Sequence, residues 1–336
     1  MSQENYIREV FDAFQKQNIL VIGDVMIDSY LWGRVDRISP EAPVPVVALH
    51  HRENRMGGAA NVALNVQSLG AKPLLCASIG DDESGHNFLN LMGKQRLDTS
   101  AIITVPGRIT TTKHRVIGNN MQMLRVDHET DQELDESLTH DLFSKIEQLV
   151  AQKQVDAILF EDYDKGVITP VLINKVVNLA QQQNIPVVVD PKKRNFMNYK
   201  GVTLLKPNLK ELHEGLKTDQ SLDTTEKLAA QIQLLQQKLG VQMVLATLSE
   251  KGVFYSEQTG NHQYNTGSVK AHIRSIADVS GAGDTVISIV AMCLAAGCSL
   301  PFTSALANLA GGLVCEKVGV VPVNKQELLR EAIALL

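Results

Sequence analysis

Cysteine is scarce in this chain of 336 residues: Cys76, Cys293, Cys298 and Cys315 are the only four, and no two form a CxxC pair. That spacing excludes the common zinc and redox signatures, and the number is too low for a disulfide framework. The four read as reduced residues of a core, as in a cytoplasmic protein. No block of Lys and Arg occurs and the formal net charge is −5, so the basic footprint needed to hold a nucleic acid or an anionic membrane is missing. A small molecule is the expected partner. Long hydrophobic runs are also lacking. Val286 to Ala296 is too short and too interrupted to cross a bilayer and predicts a buried helix instead. Met1 to Gln17 carries Glu4, Arg8, Glu9, Asp12 and Lys16, which leaves no apolar segment of the secretory kind. There is no internal repeat, no low-complexity tract, and no G-x-x-x-x-G-K-[ST], which excludes a P-loop kinase.

What the chain does have is apolar content, 44% against 21% charged, enough to bury a large core. At this length one α/β domain with a small appendage is expected, spanning residues 1–336. Ile19 to Gly23 is a continuous apolar run ending in Gly-Asp, the pattern of a buried strand that opens onto a site. Similar runs stand at Leu74 to Ile79, Ala157 to Phe160, Ile185 to Val189, Val202 to Leu205 and Met243 to Ala246. Helical stripes lie between them: Ala59, Val62, Ala63 and Val66; Leu138, Leu142, Ile146 and Leu149; Ile173, Val176, Val177 and Ala180; Leu228, Ile232, Leu235 and Leu239. The alternation predicts a mostly parallel sheet with helices on both faces and ligands at the carboxyl ends of its strands.

Two stretches interrupt this rhythm. Residues 26–52 are rich in Val, Pro and aromatics, and 101–125 in β-branched residues, so both predict strands outside the main sheet that could form a lid. A final helix is expected over Asn324 to Leu335, opened by Asn324 with Glu327 three residues on.

The strongest chemical signal is Asp278-Val-Ser-Gly-Ala-Gly-Asp284, followed by the apolar helix from Thr285. Gly281 and Gly283 let the backbone come close to a ligand, and free N–H groups at a helix start attract phosphate. Asp284 would stand just inside this anion hole, where a carboxylate takes the proton of an attacking hydroxyl. An ordinary loop, with Asp284 as a helix-terminal charge, explains the same residues. A dinucleotide fingerprint does not, because the third glycine is missing.

With these residues in view, the chain resembles the ribokinase or pfkB-type carbohydrate kinase family. Gly57-Gly-Ala-Ala-Asn61 and Asp278 to Asp284 are similar to its two signatures in order and separation, with Ser280 where the family usually has Thr. The resemblance implies a three-layer α/β/α sandwich with a mostly parallel central sheet and a small β-strand lid. It narrows to the heptose 7-phosphate kinase group through Gly23 to Asp28, Trp32 to Pro45, Arg125-Val-Asp127, Glu161 to Gly166 and Asp190-Pro-Lys192, with Ser39 to Pro45 the most specific part.

The resemblance implies these roles. Asp284 is the base, and the N–H groups of Gly281, Ala282 and Gly283 hold the transferred phosphoryl. Asp24 accepts sugar hydroxyls, or is a simple turn residue; Gly57, Gly58 and Asn61 lie against the sugar, or pack a helix closely. Asn208 and Glu211, in an N-x-x-E element, arrange the ATP phosphates and Mg²⁺, although Asn208 could be a plain helix cap. Ser249, Gly252 and Asn308 fall in the nucleotide pocket, and Asp278 fits a monovalent cation such as K⁺. A substrate that already bears a phosphate needs a cationic clamp, with Arg37, Arg125, Lys165 and Lys192 as candidates, each of which could equally be a solvated charge. Trp32 could cap the sugar or pack between two lids.

The expected reaction is phosphorylation of heptose 7-phosphate at its anomeric hydroxyl, with ATP. Another sugar kinase of this fold, or a sugar-phosphate sensor without catalysis, are the alternatives. A homodimer through the lids is implied by resemblance. No H-x-G-H element follows the kinase motifs, so adenylyl transfer in the same pathway is expected on another chain, unless this sequence is part of a longer one.

Overall fold

Side-chain alternation along the buried strands builds the molecule outward from its middle. In β1 (Asn18–Gly23), Ile19 and Val21 enter one apolar layer while Leu20 and Ile22 enter the other, as the two-residue period of a strand requires. The computed structural model describes residues 2–119, 121–152, 154–218 and 222–336. Among them, β1 lies inside a nine-stranded sheet. To one side of it stand β4 (Lys72–Gly80) and β5 (Ile102–Val105); to the other stand β8 (Ala157–Glu161), β9 (Val187–Asp190), β10 (Leu204–Leu205), β11 (Met243–Thr247), β12 (Val253–Gly260) and β13 (Gln263–Val269). From β5 to β11 every pairing is parallel, and β12 and β13 close that edge antiparallel.

Helices α1 (Gln3–Phe14), α2 (Ala59–Ser68), α3 (Glu83–Lys94), α8 (Ala282–Ala295), α9 (Leu300–Cys315) and α10 (Lys325–Leu335) bury their apolar stripes on one face. On the other lie α4 (Glu136–Gln152), α5 (Pro170–Gln183), α6 (Leu209–Leu216) and α7 (Thr225–Leu239). This is the expected three-layer α/β/α sandwich. Its apolar helix α8 is sequestered, and all four cysteines are buried and free. No helix among the described residues is long and apolar enough to cross a membrane. The Asn324 side chain caps α10 by accepting from the Glu327 N–H, while the Glu327 carboxylate turns to Lys317 instead of completing a capping box.

A second sheet stands apart: β3 (Pro45–Gly58), β2 (Val25–Ile38), β6 (Thr112–Gly118) and β7 (Met121–His128), in that order. The expected lid stretch 101–125 therefore divides. Ile102–Val105 pairs with β4 at the edge of the main sheet because Ile103 and Val105 bury their side chains in the core. The small sheet takes only the part from Thr112, and continues to His128. Register in this sheet makes two rows across three strands, Asp28–Lys113–Asp127 and Tyr30–Arg115–Arg125, with Arg55 opposite Asp28 on the fourth.

Candidate active site

The strands β1, β8 and β9 end side by side, with Gly23 beside Glu161 and Glu161 beside Asp190. The N-terminus of α8 faces these ends. Asp284, in its first turn, is 4% exposed. Its two oxygens are held separately: Asn61 Nδ2 donates to Oδ2 at 2.7 Å and the Tyr163 hydroxyl to Oδ1 at 2.8 Å. Burial raises the Asp284 pKa against these two hydrogen bonds, which favour the ionised form. Each carboxylate oxygen keeps a lone pair for a further proton donor.

Gly281 caps α8 with φ of 82°, and a Cβ there would lie 2.9 Å from Asn61 Nδ2, so both backbone and space require glycine. One expectation changes. The Ala282 N–H turns back onto the Val279 carbonyl at 3.3 Å. The N–H groups of Gly281, Gly283 and Asp284 have no protein acceptor among the described residues, and these are the donors left for an anion. Under Gly283 lies the ion pair of Lys206 and Asp190, 2.8 Å long and almost fully buried. Burial opposes the Lys206 ammonium, but Asp190 and Glu211 outweigh it and hold its pKa above the usual value.

Asp24 takes a different role from the expected one. It is 1% exposed, and its carboxylate accepts the backbone N–H groups of Tyr163, Lys165 and Val167 at 2.9 to 3.1 Å. A carboxylate at the end of β1 attracts whatever donors border it, and here these are the loop after β8. Asp24 thus positions Tyr163 and does not face the cleft as a sugar acceptor. Asp28, four residues on, is buried in the small sheet, ion-paired with Arg115, and its Oδ2 would be 2.1 Å from a Cβ on Gly57. Gly57 is therefore glycine to make room for a carboxylate. Gly58, with φ of 60°, clears the Asp24 carbonyl.

Of the basic residues, Lys165 pairs with Glu129 at 2.8 Å and Lys192 with Glu211. Arg125 pairs with Asp127 at 2.9 Å on exposed β7. Arg37 is exposed near the tip of the β2–β3 hairpin, whose turn holds Ser39 to Pro45, also at the surface. Trp32 stacks on Tyr30 with centroids 6.3 Å apart. The Tyr30 hydroxyl accepts the Val320 N–H, and Arg55 donates to the Val318 and Val320 carbonyls, which ties the small sheet to this turn. Asp278 holds the same turn: its oxygens accept from the N–H groups of Gly319 and Ser280, both at 2.9 Å, and these bonds outweigh burial to keep its pKa low.

Asn208 and Glu211 form a full capping box on α6, each side chain bonding the other's backbone N–H at 2.8 Å. The plain cap is thus real. For a divalent cation the better-suited oxygens are those without a hydrogen bond: both of Glu161, which is 0% exposed, and Oδ1 of Asp190, 3.9 Å from Lys192 Nζ. Burial and the neighbouring Asp190 and Asp284 push the Glu161 pKa well above the usual range. No cluster of three or more metal-ligating side chains is present among the described residues. Ser249 opens a short 3₁₀ turn with φ of 53°, and Gly252 closes it where a Cβ would strike the Val269 carbonyl. Asn308, on α9, donates to the Lys270 carbonyl at 2.9 Å, at the start of the irregular segment that leads to Asp278.

Tyr163, Asp28, Glu161, Asp190 and Lys206 are brought to the site without having been singled out from sequence. All five lie in or directly beside motifs or apolar runs picked out above, which was the available signal. What the sequence could not show is which carboxylates share a cavity.

A family model described as pfkB family carbohydrate kinase matches residues 16–326. The chain is 37% identical over 331 residues to the "Bifunctional protein HldE" of Trichlorobacter lovleyi, covering 96% of this chain and 64% of that protein. The protein of the same description from Koribacter versatilis is 39% identical over 313 residues, covering 93% and 62%. The chain thus spans somewhat under two thirds of these relatives. Because both are described as bifunctional, they lend no support to adenylyl transfer residing on a separate chain. Among solved structures, phosphofructokinase-2 from Escherichia coli in complex with potassium superposes with a TM-score of 0.74 at 18% identity, covering 95% of this chain and 98% of that one. Arabidopsis thaliana ribokinase complexed with ribose and ATP gives 0.69 at 17%, covering 95% and 99%.

Proposed function

The chain belongs to the pfkB family of carbohydrate kinases, and from that premise we propose that it phosphorylates D-glycero-D-manno-heptose 7-phosphate at the anomeric C1 hydroxyl, as a step toward ADP-heptose and lipopolysaccharide core. It is an ATP-using sugar kinase; the substrate and its position are the proposal. The observation that carries the chemistry is the buried Asp284 carboxylate, fixed by Asn61 and Tyr163 beside free N–H groups at a helix start. The segments similar to the heptose 7-phosphate kinase group support the substrate.

In the proposed reaction Asp284 accepts the proton of the C1 hydroxyl as its oxygen attacks the γ-phosphorus, and the bond to the ADP oxygen breaks. The N–H groups of Gly281, Gly283 and Asp284 hold the phosphoryl oxygens as charge moves onto them. Asp28, behind Gly57, is the sugar-facing carboxylate. Asp190, Glu161 and, through water, Glu211 would hold Mg²⁺, which when bound neutralises charge on the phosphates. Asp278 would serve a K⁺ ion, and Ser249, Gly252 and Asn308 the nucleotide. Two copies would associate through the small sheets, which expose Met121, Leu124, Val126, Ile38 and Leu49.

The test is ATP consumption with the heptose 7-phosphate beside fructose 6-phosphate, ribose and unphosphorylated heptose, in Mg²⁺ and K⁺. A preference for the heptose phosphate is expected. Preference for another sugar would remove the substrate and leave the kinase, and binding without turnover would favour a sensor.

A further inference from the structure

The ion pairs that occupy the expected phosphate-binding residues point to a different one. Of the expected four, Lys165 is taken by Glu129, Arg125 by Asp127 and Lys192 by Glu211, while Arg37 lies exposed near the hairpin tip; Arg115, on β6, is taken by Asp28. Lys113, on β6, sits among Asp28, Asp127 and Glu129, and all three already have a cation. Lys113 itself makes no hydrogen bond or ion pair with any described residue. Its Nζ instead lies 5.4 Å from the centroid of the Tyr163 ring, whose hydroxyl reaches Asp284. Half-buried, with desolvation lowering its pKa against the pull of Asp28, Asp127 and Glu129, it is an ammonium whose neighbouring carboxylates are each bound to another cation. Leaving a charge in that state is costly unless an anion arrives to share it.

We propose that Lys113 is the specificity-determining residue that binds the phosphate the sugar already carries, a role that rests on the sugar-phosphate reading above. The register of the small sheet supports it. Lys113 and Arg115, two residues apart on β6, project from the same face as Asp28 and Tyr30 on β2 and Arg125 and Asp127 on β7. That face therefore offers Asp28 for sugar hydroxyls with Lys113 beside it. Tyr163 stands between Lys113 and Asp284. A sugar bound with its reacting hydroxyl at Asp284 spans the breadth of this ring, and so directs a phosphate at its far end toward Lys113. Lys192, also 5.4 Å from the Tyr163 centroid, cannot substitute while Glu211 holds it.

Lys113→Met, which keeps the stem and removes the charge, and Lys113→Arg, which keeps the charge, test the assignment with wild type as reference. Steady-state rates with heptose 7-phosphate and with unphosphorylated heptose, in ATP and Mg²⁺, give the preference as a ratio of kcat/KM values. In Lys113→Met this ratio is expected to fall by about 10- to 100-fold, the scale of one charge-assisted hydrogen bond, mainly through KM for the phosphorylated sugar. Lys113→Arg should restore most of it. Equal loss on both sugars would mark Lys113 as merely structural, and an unchanged ratio in Lys113→Met would overturn the assignment while leaving the substrate reading intact. A wild-type enzyme with no preference for the phosphorylated sugar would overturn both.

Discussion

At the scale of single residues, the proposed chemistry rests on Asp284 and on the Tyr163 hydroxyl bonded to it. Asp284→Asn keeps the shape and the contact to Asn61 but cannot accept a proton, so turnover should fall by roughly 10²- to 10⁴-fold with little change in thermal stability. Near-normal turnover would remove the base assignment. Tyr163 acts through Asp284: its hydroxyl bonds the ionised carboxylate, and Tyr163→Phe deletes that bond. With one of the two opposing contacts gone, burial raises the Asp284 pKa further. The acid limb of the kcat/KM profile should therefore move to higher pH, with a loss on the order of 10-fold on that limb. An unmoved limb would show that Tyr163 does not tune the base. Tyr163 was legible only as a letter within Glu161 to Gly166, because its aim depends on Asp24 gathering the N–H groups of that loop.

At the scale of elements, the start of α8 concentrates the most constraint. Gly281 has a left-handed backbone and no room for a methyl group beside Asn61. Gly281→Ala should cost about 1–2 kcal/mol of stability from the backbone alone. It should also push Asn61 off Asp284, so that turnover falls together with the unfolding midpoint. Retained turnover with lowered stability would separate the cap from the catalytic contact. The glycines, the apolar helix and the flanking aspartates of this motif could all be read from sequence. The closure of the Ala282 N–H onto Val279 could not, since it depends on how the turn before the helix is held by Asp278. Ile102–Val105 teaches the same lesson: β-branched residues favour a strand, but which sheet accepts it is decided by the neighbour that buries Ile103 and Val105.

At the scale of the whole molecule, buried carboxylates give stability a definite pH dependence. Burial, ahead of the nearby Asp24 charge, pushes the Asp162 pKa up to about 7. An acid raised this far above its unfolded value near ~4 stabilises the fold fully below that value, and the contribution is lost as pH rises through the folded pKa. Asp162→Asn, fixed in the neutral form, should therefore gain on wild type by roughly 1–3 kcal/mol between about pH 5 and pH 8. Thermal unfolding of both across that range checks it; a constant gap would show that Asp162 does not titrate there. Association is a second property of the whole. Leu124 is 57% exposed on β7, and Leu124→Glu should convert a dimer to monomer in light scattering if the small sheets form the contact. An unchanged mass in a dimeric wild type would place the contact elsewhere.

Local pattern alone determined the layers of this protein: two-residue and 3.6-residue periods state which face of each strand and helix is apolar, and apolar faces have few ways to be buried. Sequence also set glycine, helix start and carboxylate side by side along the chain, the arrangement proposed to hold an anion beside a base. Only the tertiary structure decided how charges pair. Asp24 bonds a loop about 140 residues away, Lys192 bonds Glu211, and Lys113 stands over the Tyr163 ring with no hydrogen bond or ion pair among the described residues. Charge pairing depends on distances of a few ångströms between residues remote in sequence, and those distances exist only once the strands have taken their order in the sheets.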